Sequence, residues 1–210
     1  MKLYYFDIYG RAEAIRFALT HSGTAWEDVI INGEKLMELK GDGSLEFGQV
    51  PMLELDDGRK IVQSWAILRY VGRTFGYYPT DAETAWRVDS TIDAVEDFLT
   101  QYFKFHFEKD EEKKKVAKEG FFNWLPKWLD AIEKRLVNNT TQKYIVGDKI
   151  TIADFALAAL IFSFAVNPAN PTFEETLPLL KDREVFVAYK NGLKEELKAR
   201  LESRPQPRPL

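Results

Sequence analysis

The chain has 210 residues, 45% of them hydrophobic, which suits one large or two small domains with a sizeable core. It contains no cysteine, which excludes disulfides, thiolate metal sites and a cysteine nucleophile, and its two histidines, His21 and His106, have neither metal-ligand spacing nor a triad around them. A net charge of −4, a pI near 5.4, no basic stripe with interleaved aromatics, no apolar signal core and no apolar run near the ~18 residues of a membrane span together predict a cytoplasmic protein without nucleic-acid or membrane partners.

In chain order, Lys2 to Phe6 predicts a short aromatic strand, Asp7 to Gly10 a turn, and Arg11 to Leu19 a helix with Ile15, Ala18 and Leu19 at helical spacing. Gly23 ends that helix and Trp26 to Ile31 predicts a second strand, so the opening is a strand–helix–strand unit that favours a parallel pair. Asn32 to Gly48 is polar and glycine-rich, a surface segment around a short helix at Glu34 to Lys40. Gln49-Val50-Pro51 then leads into a strand at Met52 to Leu55, a turn at Asp56-Asp57-Gly58, a strand at Lys60 to Val62 and a helix opening at Gln63-Ser64.

Two features of that last stretch carry chemistry. A proline before a strand donates nothing to the ladder, and in a cis bond it turns the Val50 backbone toward solvent, where an extended peptide can pair with it. Ser64 at a helix start sets a hydroxyl beside free backbone N–H groups, a ready carboxylate site. Each alone is an ordinary edge-strand device or an ordinary cap. Together they describe a pocket for a small acidic peptide.

The element order is that of an α/β thioredoxin-like domain at 1–76, with a linker at 77–82 and an all-α domain at 83–210. Thr84 to Glu108 is a long amphipathic helix with Val88, Ile92, Val95, Leu99 and Tyr102 at steps of three and four. The charged run Lys109 to Lys115 reads as a solvated face or bend, and Phe121 to Leu136 as a helix that Pro126 bends. Thr151 and Asp154 form a capping box for an apolar helix from Ile152, central to the second domain. Pro168, Pro171 and Pro178 break up the next segment; a last helix spans Glu184 to Ser203, and 204–210 is a tail.

The stretch FGQVPMLELDDGRKIVQSWAIL closely resembles the glutathione-binding motif of cytosolic glutathione transferases, GDKITIADF resembles their second-domain capping motif, and YYFDIYGRAE resembles the start of the sigma class. The resemblance covers nearly the whole chain. It implies a homodimeric glutathione transferase that conjugates glutathione to small hydrophobic electrophiles, with glutathione as co-substrate and no metal or other cofactor. The remaining possibilities are a non-catalytic crystallin-like or ligand-binding relative, and a glutathione-dependent isomerase or peroxidase.

Such an enzyme must lower the thiol pKa, and two units correspond to about 2.7 kcal/mol, most of which one charge-assisted hydrogen bond supplies. A tyrosine hydroxyl is a suitable neutral donor, and Tyr4, Tyr5 and Tyr9 crowd the N-terminus. The resemblance selects Tyr5, which also lies near the carboxyl end of the first strand, where open α/β sheets place ligands. It further implies that Arg11 supports the thiolate, that Val50 beside Pro51 pairs with the cysteinyl backbone, and that Gln63 and Ser64 hold the γ-glutamyl carboxylate. Lys40 matches the residue that meets the glycyl carboxylate, and Gln49 one that contacts the ligand. Asp97, in EDF, matches an aspartate that reaches the amino group of glutathione in the other subunit. Its neighbours Asp93 and Glu96 form an acidic cluster that binds a divalent cation in some sigma enzymes; a solvated acidic face is the simpler reading. Phe6, Ile8, Tyr9, Leu99, Tyr102, Lys104 and the C-terminal tail are implied walls of the electrophile pocket. Lys104 stands where prostaglandin D synthases of this class have an aromatic residue. Two further positions depart from the pattern: Leu36 replaces a usual tryptophan ahead of a longer loop, and Trp65 stands where many relatives have arginine or a small apolar residue.

Overall fold

The computed structural model describes residues 1–205, so the tail expected to wall the electrophile pocket lies mostly outside the described residues. Strand β1 (Lys2–Tyr5), helix α1 (Glu13–His21) and β2 (Glu27–Ile30) form a parallel strand–helix–strand unit, and α2 (Gly33–Gly41) leads to the hairpin β3 (Met52–Glu54) and β4 (Lys60–Val62) and to α3 (Ser64–Phe75). Among the described residues these strands make one sheet in the order β2-β1-β3-β4, with β3 antiparallel to both neighbours. This is a thioredoxin-like domain.

Strand alternation sorts the aromatic N-terminus. Leu3 and Tyr5 join the large core that runs through α1 and α3 into the helical domain. Tyr4 faces the opposite way, toward a small cluster of Ile31, Leu39, Leu45, Met52 and Val62. Gly76, in the left-handed conformation, closes α3.

The second domain contains α4 (Ala82–His106), α5 (Glu111–Asn138), α6 (Ile152–Leu160), which continues as a π-helical turn at Ile161–Ala165, α7 (Phe173–Lys181), α8 (Glu184–Glu196) and α9 (Lys198–Ser203). Helix α5 starts at Glu111, so most of the charged run Lys109 to Lys115 is its first turn and a half. Asp110 accepts the Lys113 N–H as cap, and Glu111 and Glu112 lie in the first turn, where the helix dipole favours acids. Pro178, read as a breaker, sits inside α7, whose Thr176 and Leu180 are buried. The last predicted helix is divided at Leu197 into α8 and α9.

A buried carboxylate joins the domains. Glu13 at the start of α1 is 0% exposed; it accepts two hydrogen bonds from Arg200 of α9, at 3.1 and 3.0 Å, and one from Arg16 at 3.3 Å.

A second buried carboxylate, Asp154, organises α6. It accepts from the Ile145 and Thr151 N–H groups and from the Thr151 and Tyr189 hydroxyls, the capping box included. Burial pushes its carboxyl up to about 6 in spite of those donors. The folded chain therefore holds a proton, between about pH 4 and about 6, that the unfolded chain has released, and this site's contribution to stability falls as pH rises through that window. In urea unfolding, the stability of the natural protein should fall relative to Asp154→Asn across the same window. At neutral pH Asp154→Ala, which strands four donors, should lose about 3 kcal/mol.

Candidate active site

The three N-terminal tyrosines have different partners. The Tyr4 hydroxyl donates to Glu54 at 2.9 Å, and burial together with that carboxylate pushes its pKa up to about 12. The Tyr9 hydroxyl donates to the Pro205 carbonyl at 2.9 Å, and the Arg204 guanidinium lies 4.3 Å from its ring centroid. Tyr5 alone of the three accepts: its oxygen takes the Arg11 backbone N–H at 3.1 Å. Its own proton is thus directed elsewhere. Burial raises the Tyr5 pKa and the Arg11 N–H lowers it, with the increase prevailing, so the phenol stays protonated at neutral pH.

The turn before α1 makes this arrangement possible. Tyr5 ends β1, and a 3-10 turn at Gly10–Ala12 brings the Arg11 amide back over its ring. Gly10 has φ +42°, and a Cβ there would stand 2.7 Å from the Tyr5 hydroxyl oxygen. Only a residue without a side chain permits that approach.

Arg11 also reaches across the domain boundary. Its guanidinium forms a two-pronged pair with Glu96 of α4, at 2.5 and 2.7 Å, and lies over the Phe103 ring at 5.7 Å. The Trp65 indole N–H donates to Glu96 at 2.7 Å. Burial works to raise the Glu96 carboxyl, but Arg11 and Trp65 outweigh it and hold the carboxyl below the usual range; Glu96 in turn holds the Arg11 guanidinium above its own.

Arg11 and Glu96 form one wall of a cavity of about 250 Å³, and Gln49, Val50, Pro51, Gln63 and Ser64 form the rest. The Val50–Pro51 peptide is cis, and Gln63 carries φ 72° immediately before Ser64 opens α3. The structure therefore brings together six of the residues expected to handle glutathione and adds Glu96 to them. Lys40 is outside the cavity lining, but its Cε approaches within 3.7 Å of a Cβ built on Gly48, next to Gln49. Asp97 is exposed on α4.

The expected electrophile residues are dispersed. Phe6 lies beside the Tyr5 ring at 5.8 Å and Ile8 in the following turn. Leu99 and Tyr102 are buried in the helical core, where the Tyr102 hydroxyl donates to Asn170. Lys104 lines a groove between α4 and α5 with Trp124 and Val116, away from Arg11. The α4 residue on the Arg11 side is Phe103, on a stripe shared with Glu96, Thr100 and Phe107. Among the described residues no group of three or more His, Asp or Glu is placed to hold a metal ion, and no helix is long and apolar enough to cross a membrane.

Glu96, Trp65, Gly10 and Phe103 are the site residues that sequence reasoning did not assign. The pairing of Glu96 with Arg11, 85 residues away, left no local signal in the sequence.

Two family models match the chain: the N-terminal domain of glutathione S-transferase over residues 1–73 and the C-terminal domain over 96–205. Glutathione S-transferase A2 of Bos taurus is 34% identical over 208 residues, 97% of this chain and 90% of the relative. Glutathione S-transferase P of the same species is 34% identical over 95% of this chain and 90% of the relative. Among solved structures, prostaglandin synthase D of Nilaparvata lugens superposes with a TM-score of 0.81 at 27% identity, covering 98% of both chains. A glutathione S-transferase of Ascaris lumbricoides gives 0.79 at 29% identity, covering 98% of this chain and 97% of that one.

The contact between Gly10 and Tyr5 is testable without any ligand. Gly10→Ala should push the Tyr5 oxygen off the Arg11 N–H, so that in an NMR titration of ring-labelled tyrosine the Tyr5 phenol titrates higher than in the natural protein while the other tyrosines are unchanged.

Proposed function

The chain belongs to the glutathione S-transferase family and is an enzyme of that kind, and we propose that it joins the thiolate of glutathione to small hydrophobic electrophiles, with Tyr5 as hydrogen-bond donor to the sulfur. The observation that carries this reading is the Tyr5 hydroxyl, which accepts from Arg11 and so keeps its own proton for a partner. A hydrogen bond from a neutral donor to an anion contributes about 1.5–3 kcal/mol, the scale of a one- to two-unit depression of a thiol pKa. The rest is proximity: thiolate and electrophile are held together in one site.

The γ-glutamyl carboxylate is assigned to Ser64 and Gln63 at the start of α3, the cysteinyl backbone to Val50 beside Pro51, and the glycyl carboxylate to Lys40, with Gln49 alongside. Arg11 acts mainly through its backbone amide, because its guanidinium charge is matched by Glu96. Phe6 beside Tyr5 and Phe103 beneath Arg11 frame the approach with apolar rings, consistent with a hydrophobic electrophile. The glutathione-binding unit is assigned to 1–76, the linker to 77–82 and the helical unit to 83–210. The class is sigma or a close relative, on the resemblance of YYFDIYGRAE, and the setting cytoplasmic detoxification.

A homodimer completes the site. Asp97 is exposed, free to reach a second copy, and Phe47, 60% exposed, stands beside an apolar recess formed by Ile61, Ala66 and Tyr70. A protruding ring next to a recess on one face is self-complementary under twofold symmetry. Glutathione-dependent isomerisation is the second reading, supported by the likeness to the Nilaparvata lugens protein, which is named a prostaglandin synthase.

Steady-state assay with glutathione and a general aryl halide acceptor tests the main reading. Tyr5→Phe should lose conjugation by about 10²-fold while still binding glutathione in calorimetry; full activity in the variant would assign the thiol to another donor. Asp97→Ala should weaken glutathione binding about tenfold, as for loss of one charge-assisted contact, and leave the dimer intact in sedimentation. Unchanged affinity would remove the cross-subunit contact.

A further inference from the structure

Glu96 stands at the meeting point of three chain segments. Arg11 arrives from the turn after β1, Trp65 from the first turn of α3, and Glu96 itself projects from the middle of α4. A carboxylate offers about four acceptor positions, two on each oxygen. The Arg11 fork takes one on each, Trp65 takes the second on Oε2, and the Thr100 hydroxyl approaches Oε1 at 3.4 Å. The carboxylate is therefore held by three short bonds from its own chain.

The Trp65 contact differs in kind from the Arg11 pair. A forked arginine–carboxylate pair fixes the two groups relative to each other, yet the pair can swing as a unit about the Glu96 side chain. Both partners are about one-third exposed, 31% and 35%, so packing alone does not hold them. Trp65 stops that swing. Its ring packs against the main core and its N–H meets Oε2 at 2.7 Å, tying the pair to the residue that follows Ser64. A continuous path then runs from the start of α3 through Trp65, Glu96 and the Arg11 guanidinium to the Arg11 backbone N–H, and from there to the Tyr5 hydroxyl.

We propose that Trp65 is a positioning residue that acts through Glu96 to hold Arg11, and with it the Tyr5 hydroxyl, in register with the Gln63–Ser64 end of the cavity. The inference rests on Tyr5 being the thiol donor. It explains why a large aromatic residue with a single polar atom occupies the position directly after the serine: the site uses the N–H, and the ring anchors it.

Trp65→Phe keeps the ring and removes the N–H. In the purified full-length enzyme, the thiolate absorbance of bound glutathione should titrate about one unit higher, and kcat below that titration should fall about tenfold, one unit of pKa being a factor of ten in thiolate. KM for the aryl halide should stay within about twofold, since the contact is remote from the acceptor. In a Glu96→Gln background the same substitution should add little, because the two residues act as one unit. Trp65→His, which restores a ring N–H, should recover part of the loss, and it serves as the working variant if the phenylalanine form folds poorly. An unshifted thiol titration in Trp65→Phe, or equal losses in both Glu96 backgrounds, overturns the role of Trp65. Tyr5→Phe run in parallel separates the two claims: full activity there overturns the thiol-donor reading, whereas its inactivity beside a silent Trp65→Phe overturns only the positioning path.

Discussion

The carboxylate of Glu13 is the fixed point of the molecule. It is removed from water, it receives Arg16 from its own helix, and it receives a forked pair of bonds from Arg200, 187 residues along the chain. Deleting one partner of such a pair leaves an uncompensated buried charge, at a cost of about 3–5 kcal/mol. The first turn of α1 is thus bound to α9. The segment from Tyr9 to Arg11 leads into that anchored turn, and the Arg11 amide lands on Tyr5.

Labour is divided among neighbouring residues here. Glu13 ties the two domains together through Arg200, Gly10 clears space, and Arg11 gives its amide to one domain and its guanidinium to the other. The pair with Glu96 is partly in solvent, so its direct contribution to stability is small. Its value lies in geometry. With the guanidinium held against its counter-charge, what reaches Tyr5 is the Arg11 backbone amide.

How much of this was legible depended on the range of the interaction. The strand–helix–strand opening and the hairpin with its proline are local, so the sheet and the cavity around Gln63 and Ser64 came from short-range pattern, whereas Tyr5 was singled out from its neighbours by resemblance and by its place at the end of the first strand. The capping box at Thr151 and Asp154 was equally local, although the third and fourth partners of Asp154, from Ile145 and Tyr189, were not. The start of α5 was placed late because a run of lysines and glutamates has no apolar stripe; the signal was the capping Asp110, a single residue. On α4 one position of helical phase, about 100° of rotation, separates Phe103 over Arg11 from Lys104 in an outer groove, and an alignment by motif does not resolve that. Trp65 had no counterpart to be read against, because its partner comes from a different domain.

Gln63 holds a backbone conformation, φ 72° and ψ 112°, that side-chain-bearing residues avoid at a cost of about 1–3 kcal/mol. Glycine would adopt it freely, and the chain uses glycine for that purpose at several other turns. At position 63 it does not. The fold thus keeps a strained residue at the mouth of its polar cavity, a local debit in stability that is sensible only if the amide side chain does something a bare backbone cannot. Selection for thermal robustness alone would favour glycine at this position, and a stabilised variant obtained that way would lose an amide side chain from the cavity lining.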